Sequence, residues 1–296
     1  MKKSLAGAAL WRSLLFIPAD NPRIIGKAHA RGADALILDL EDAVSPPAKP
    51  AARAQLPLVI SQLRALGALL LVRINQEEES LDADLQAAIW PGVDAIVVPK
   101  VEDAACLAVL TEKIENLERL RGIPVGSVGL LALVESPAAL FRLPEICGAP
   151  RLLGIALGSE DFSRSLGAAP SPQSLTLPCQ WLALAAAAAG IRAFGLPDSL
   201  ANFQHLDTYR ATARHAKAMG LHGALCIHPA QVAVINEVFS PSEQDIAWAR
   251  SVVAFWEAAR KTGAGQGAIA MNGAMIDKPV VERALAILDL TSATND

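Results

Sequence analysis

The sequence predicts an α/β protein built as a (β/α)8 (TIM) barrel with a C-terminal helical extension. Three observations lead there. Eight short runs are continuously apolar, as strands buried on both faces of a parallel sheet must be. The segments between them are long enough for a helix, giving the alternation of a βα series. Most of the runs also end abruptly in a polar or charged group, the pattern of a barrel that assembles one site from many strand ends.

In chain order the strands are read over Ser13–Pro18, Ala35–Glu41, Leu69–Asn75, Ala95–Val101, Val128–Glu135, Leu152–Gly158, Ile191–Pro197 and Ala224–Pro229. The second is the most informative, because Ala35-Leu36-Ile37-Leu38 runs directly into Asp39, Glu41 and Asp42. Asn21-Pro22 opens the first helix, with Asn as cap and Pro in the first turn. Pro241-Ser242-Glu243 opens another that runs to about Lys261. Thr262 to Gly267 is Gly-rich and polar and is expected to be a mobile loop. A last helix is expected from Pro279 to about Leu290. The barrel domain is therefore assigned to residues 1–262, and the extension to 263–296, where it is expected to pack on a neighbouring subunit.

The 296 residues, 52% of them apolar, suffice for one large core and exclude a disordered chain. A net charge of −4 supplies no basic field, so nucleic acid and anionic lipid are not expected partners. No apolar stretch approaches the roughly 20 residues of a membrane span. Lys2, Lys3 and Leu5 to Leu10 imitate a short signal peptide, but Trp11-Arg12-Ser13 interrupts it and the next run reads as a strand. Cys106, Cys147, Cys179 and Cys226 form no CxxC pair and no zinc spacing. They are read as reduced, mostly buried thiols, and the protein as cytoplasmic.

Glu135 and Asp161 stand at the ends of consecutive strands, where two carboxylates can converge. Two oxygen ligands with open positions suit Mg²⁺ and a chelating substrate; a salt-bridged or helix-capping pair is the alternative. Arg73 ends the third strand, where its planar fork suits a carboxylate ligand or else a structural ion pair with Glu41 or Asp42. Glu41 and Asp42 either extend the metal shell through water or orient Arg73 and Lys100. Arg23 and Lys27 are i,i+4 neighbours after the first strand, and Lys49 and Arg53 repeat that spacing after the second. Together they form a local phosphate site in an acidic protein, or simply a solvated surface. His228, just before Pro229, is read as a structural donor rather than an acid/base. Asp277 is a lone carboxylate after an apolar approach, idle unless the tail reaches a site.

Taken in order, these motifs resemble the citrate lyase β-subunit-like branch of the HpcH/HpaI aldolase family. Trp11-Arg12-Ser13-Leu14-Leu15-Phe16-Ile17-Pro18 resembles its opening, and Asp39-Leu40-Glu41-Asp42-Ala43-Val44 with Lys49 and Arg53 its hallmark. Val72-Arg73-Ile74-Asn75, Pro99-Lys100-Val101-Glu102, Val134-Glu135-Ser136, Gly158-Ser159-Glu160-Asp161-Phe162 and Ile227-His228-Pro229-Ala230-Gln231 follow in family order. The resemblance implies a barrel that binds Mg²⁺ through Glu135 and Asp161 and contacts a keto-acid moiety through Arg73. It implies that Arg23, Lys27 and Lys49 line the coenzyme A side. It also implies that Asp277, in Met275-Ile276-Asp277-Lys278-Pro279, completes the site of a neighbouring subunit in a homotrimer or hexamer. Ser136-Pro137 and Phe194-Gly195 depart from the usual family residues.

The expected activity is Mg²⁺-dependent carbon–carbon cleavage of a 3-hydroxyacyl-CoA thioester, with (3S)-citramalyl-CoA giving acetyl-CoA and pyruvate as the preferred case. Malyl-CoA or methylmalyl-CoA cleavage, a citrate lyase β subunit acting on a carrier-protein thioester, a thioesterase on the same scaffold, and a non-catalytic barrel binding coenzyme A or a dicarboxylate are the competing readings.

Overall fold

The computed structural model describes residues 11–261, 268–271 and 273–292. The loop expected over Thr262–Gly267, the boundary expected after 262 and the signal-like N-terminus lie outside the described residues.

Eight parallel strands run β1 (Ser13–Pro18), β2 (Ala35–Asp39), β3 (Leu70–Arg73), β4 (Ala95–Val98), β5 (Gly129–Val134), β6 (Leu152–Leu157), β7 (Arg192–Phe194) and β8 (Ala224–Cys226). Neighbours in sequence are neighbours in the sheet, and β8 returns to pair with β1. A single bridge, Phe194 to Gly223, joins β7 to the approach to β8 and brings the sheet almost to closure. Helices occupy the intervals, so every inner strand is covered outside by helix and inside by its fellow strands. That is why the strands read as unbroken apolar runs.

The strand pleat decides what fills the interior. Leu14, Ile37, Leu71, Val97, Leu133, Ala156, Phe194 and Leu225 pack together along the axis. Alternate residues, such as Leu15, Leu38, Val72 and Val98, pack outward under the helices. Because side chains repeat every second residue, Phe16, Asp39, Arg73, Glu135 and Gly158 follow interior residues onto the same face, one layer higher. The end of the barrel toward which the strands run is thus lined with charge by strand periodicity alone.

The opposite end is closed by paired charges. Arg12 binds Asp34 through Nε (2.8 Å), Nη2 (2.8 Å) and its own backbone amide (2.7 Å). Arg151 meets the fully buried Glu118 at 3.0 and 2.8 Å, and the amides of Gly126 and Val128 supply two further bonds. The four cysteines are free, with Cys147, Cys179 and Cys226 buried and Cys106 partly so.

A compact unit ends at Phe239 and a second begins at Ser240. In the second, the helix Glu243–Lys261 packs against the helix Lys278–Ser292, so it groups with the C-terminal segment rather than with the barrel. Ala249, Val252, Ile276, Val281 and Ala284 form its core. Ahead of the last helix lies a hairpin, β9 (Ile269–Met271) and β10 (Ala274–Ile276).

Candidate active site

Register brings the first pair together. Asp39 on β2 and Arg73 on β3 are direct partners in the parallel ladder. Both point inward, and Arg73 donates Nε and Nη2 to the two Asp39 oxygens at 2.7 and 2.5 Å. Asp39 is 1% exposed and also accepts the amides of Glu41 and Ala43, so it shapes the loop that carries the next two carboxylates. The Arg73 guanidinium lies 4.6 Å from the Phe16 ring centroid, and its Nη1 faces Glu41 Oε2 at 2.9 Å and Asp42 Oδ2 at 3.5 Å. The guanidinium is pushed further up: burial works against the charge, but the Asp39 bond and the charges of Asp39, Glu41 and Asp42 outweigh it. The ion pairs expected with Glu41 and Asp42 are present, and the strongest partner is Asp39.

Glu135, just beyond β5, is 7% exposed and accepts the Lys100 amide at 2.8 Å. Its side chain crosses Gly158, where a Cβ would fall 2.5 Å from Glu135 Cγ, so this crossing requires glycine. Burial, with the added charge of Glu41 and Asp161, pushes the Glu135 carboxyl up to about 8. Glu41 is buried too and is raised chiefly by desolvation, against the pull of Arg73 and Lys100. Its Oε2 lies within charge-pairing distance of Arg73 but lacks a hydrogen-bond donor. Lys100 Nζ holds the other oxygen, Oε1, at 2.7 Å, and that bond raises the lysine. Lys100 Nζ is thus engaged as the charge partner of Glu41. Asp161, in the first turn of the helix Ser159–Leu166, pairs at 2.6 Å with Arg164, whose side chain is largely exposed.

These groups share a cavity of about 380 Å³. Asp39, Asp42, Arg73, Glu135 and Asp161 form its polar side, and Leu133, Leu200, Leu225 and Ile227 its apolar side. Glu135 and Asp161 are hard oxygen donors facing one space, and Glu135 carries a charge that burial disfavours in the absence of a cation. Among the described residues no three metal-ligating side chains converge. Two carboxylates completed by water and substrate are what Mg²⁺ accepts, so the residues fit that ion.

Arg23 and Lys27 line a second cavity of about 520 Å³, together with Asn21, Arg31 and His228. It meets the first at Phe16, Pro18 and Ile227. Lys49 lies elsewhere. It donates to Asn75 Oδ1, and Asn75 in turn binds the fully buried Asp84, which Arg53 holds at 2.6 Å. Lys49 and Arg53 thus brace the end of β3 and do not line the cavity of Arg23 and Lys27. His228 stacks on Phe203 at 4.7 Å and accepts the Ala230 amide at Nδ1 (3.1 Å), a structural use of the ring. Asp277 caps the last helix, accepting the Val280 amide at 3.2 Å.

The sequence left several contributors unassigned. Asp39 was one of three nearby carboxylates, and only register marks it as the partner of Arg73. Gln231, fully buried, accepts the amides of Ile227 and His228 and donates to Leu200 O, which fixes an apolar wall of the cavity. Its polar side chain inside an apolar stretch of helix was the available signal.

No helix among the described residues is long and apolar enough to cross a membrane. Residues 12–229 match the HpcH/HpaI aldolase/citrate lyase family. The citrate lyase subunit beta of Leuconostoc mesenteroides subsp. cremoris is 35% identical over 290 residues, covering 97% of this chain and 95% of its own length. A (3S)-malyl-CoA thioesterase of Cereibacter sphaeroides is 34% identical over 270 residues, 90% of each chain. The crystal structure of CitE from Mycobacterium tuberculosis, in complex with magnesium, acetoacetate and coenzyme A, aligns with a TM-score of 0.75 at 31% identity over 96% of this chain and 99% of that one. Matched along its barrel by the family model and over nearly its whole length by a citrate lyase subunit beta at 35% identity, the chain belongs to the HpcH/HpaI aldolase/citrate lyase family.

Proposed function

We propose that the protein cleaves a 3-hydroxyacyl-CoA, with (3S)-citramalyl-CoA giving acetyl-CoA and pyruvate. The observation that carries this reading is the pair of adjoining cavities. One is lined by Arg73, Glu135 and Asp161, and the other by Arg23, Lys27 and Arg31. A polyphosphate handle fits the cationic cavity and an acyl group with a carboxylate fits the other. The apolar side formed by Leu133, Leu200, Leu225 and Ile227 favours a methyl-bearing carbon over a bare one. The CitE structure holds magnesium and coenzyme A together, the two ligands this reading calls for.

In this reading Glu135 and Asp161 hold Mg²⁺, which when bound supplies Lewis-acid stabilisation of the oxygen that loses its proton. Arg73, already fixed by Asp39, stabilises the negative charge that develops on the substrate oxygens. The O–H proton passes to a water ordered by Glu41 or Asp42, that oxygen becomes the keto oxygen of pyruvate as the C–C pair moves to the thioester side, and the resulting enolate takes a proton to become the acetyl methyl. Asp277, supplied by a neighbouring subunit of a trimer or hexamer, delivers that proton.

The test is cleavage of racemic citramalyl-CoA and malyl-CoA with Mg²⁺ and then with EDTA. Mg²⁺-dependent pyruvate and acetyl-CoA from citramalyl-CoA are expected. Free coenzyme A without acetyl-CoA would favour the thioesterase chemistry of the Cereibacter relative. Asp277→Asn separates capping from chemistry, because Asn caps a helix as well as Asp but cannot donate the proton. It should keep the Tm and lower kcat about 10²–10⁴-fold.

A further inference from the structure

Strand β4 ends at Val98, and the two residues after Pro99 do something an extended chain does not. Successive N–H groups of a strand point to opposite edges. Here the amides of Lys100 and Val101 both turn to the β5 side, one to Glu135 Oε2 at 2.8 Å and the other to Leu133 O at 3.2 Å. The reversal is made at Lys100, whose φ is +50°. That left-handed conformation is unfavourable for a residue with a Cβ, and glycine would adopt it freely.

The side chain shows what a lysine adds at that position. Its Nζ lies 2.7 Å from Glu41 Oε1, and the other oxygen of Glu41 faces Arg73 Nη1 at 2.9 Å. One residue therefore touches Glu135 with its main chain and Glu41 with its side chain. Arg151 is the other left-handed non-glycine among the described residues, with φ +63°. It sits at the closed end of the barrel, and its side chain holds Glu118 there.

We propose that Lys100 is a positioning residue: its left-handed backbone aims an amide that fixes Glu135 for Mg²⁺, while its ammonium fixes Glu41 beside the Arg73 guanidinium that Asp39 anchors. This rests on the assignment of Glu135 as a magnesium ligand. The Lys100 side chain is 44% exposed, so its replacement leaves the core untouched.

The experiment uses full-length protein in five forms: wild type, Lys100→Gly, Lys100→Val, Lys100→Arg and Glu135→Gln. Mg²⁺ binding is measured by titration calorimetry, turnover of citramalyl-CoA by steady-state kinetics, and folding by Tm. Lys100→Gly keeps the backbone and its amide, so it should bind Mg²⁺ as tightly as wild type, or more tightly because a nearby cation is gone. Its kcat should fall about tenfold with little change in KM, as when an orienting partner is lost, and Lys100→Arg should restore most of it. Lys100→Val cannot hold this φ, so Mg²⁺ should bind about tenfold more weakly. Equal Mg²⁺ affinity for the Gly and Val variants, or wild-type turnover in Lys100→Gly, overturns the proposal. Glu135→Gln tells two failures apart. If it leaves Mg²⁺ binding intact, the ligand assignment is wrong and the role of the amide falls with it. If it abolishes binding while Lys100→Val does not weaken it, only the role of Lys100 is wrong. The titration needs no substrate, so it decides the amide's role whichever thioester is cleaved.

Discussion

The two ends of the barrel handle buried charge in opposite ways. At the closed end each carboxylate is matched. Burial pushes Glu118 up, but Arg151 and the amides of Val128 and Gly126 more than offset it, leaving the group below its ordinary value. At the open end Asp39, Glu41 and Asp42 gather around Arg73 and Lys100, Asp161 pairs with the exposed Arg164, and Glu135, held by a backbone amide, ends up well above its ordinary value. The same fold and the same strands carry both arrangements. Balanced pairs flank the strand starts at one end, whereas at the other a buried carboxyl, Glu135, is left in a setting that a cation would stabilise.

Mutations should separate these roles. The largest effect is expected from Glu135→Gln, which removes the charge proposed to hold Mg²⁺. Cleavage should fall about 10³-fold while the Tm in EDTA stays at or above that of wild type; unchanged turnover would break the contrast. Next is Arg151→Met at the closed end, which strands Glu118 in the core. Stability should drop about 3–5 kcal/mol in urea unfolding, with kcat per folded molecule unchanged. Gly158→Ala comes third, because its Cβ would collide with Glu135. About 1–3 kcal/mol of stability should be lost, with weaker Mg²⁺ binding measured by calorimetry.

The pH dependences are read as slopes, and they have opposite signs at the two ends. Glu118 is lowered, so its contribution is present above its ordinary 4.5 and disappears as pH falls through the folded value. Glu118→Gln should flatten the acid side of a Tm–pH profile. Glu135 is raised from 4.5 to about 8, so the folded metal-free protein keeps a proton that the unfolded chain has released. Metal-free stability should therefore decline as pH rises from 4.5 toward 8, by about 2–4 °C per pH unit. Glu135→Gln should flatten that slope to the part left by Glu41, which burial also raises.

The strands were legible because burial on both faces leaves an unambiguous apolar signature, and the charged endings of β2, β3 and β5 gave the site its outline. What the sequence could not show depends on register or on backbone reversal. Asp39, rather than Glu41 or Asp42, grips Arg73 because the ladder sets them side by side. Lys49 looked like a third phosphate ligand from its spacing, but the buried Asp84, on a helix well downstream, draws that cluster away from the cavity. Nothing local in Pro99-Lys100-Val101 announces a left-handed lysine. The helix Glu243–Lys261 was found with its bounds nearly correct, yet its partner is the last helix, a choice that periodicity does not encode.

The near-closure of the sheet at one bridge also has a bearing on how the chain assembles. Pairings from β1 through β7 each join consecutive strands and can form as the chain lengthens, at small loop-closure cost. The pairing of β8 with β1 spans almost the whole barrel domain, and the Phe194–Gly223 bridge cannot be made before β8 arrives. Closing the sheet therefore waits on β8, whose pairing with β1 closes the longest loop in the sheet while its bridge to β7 closes a short one.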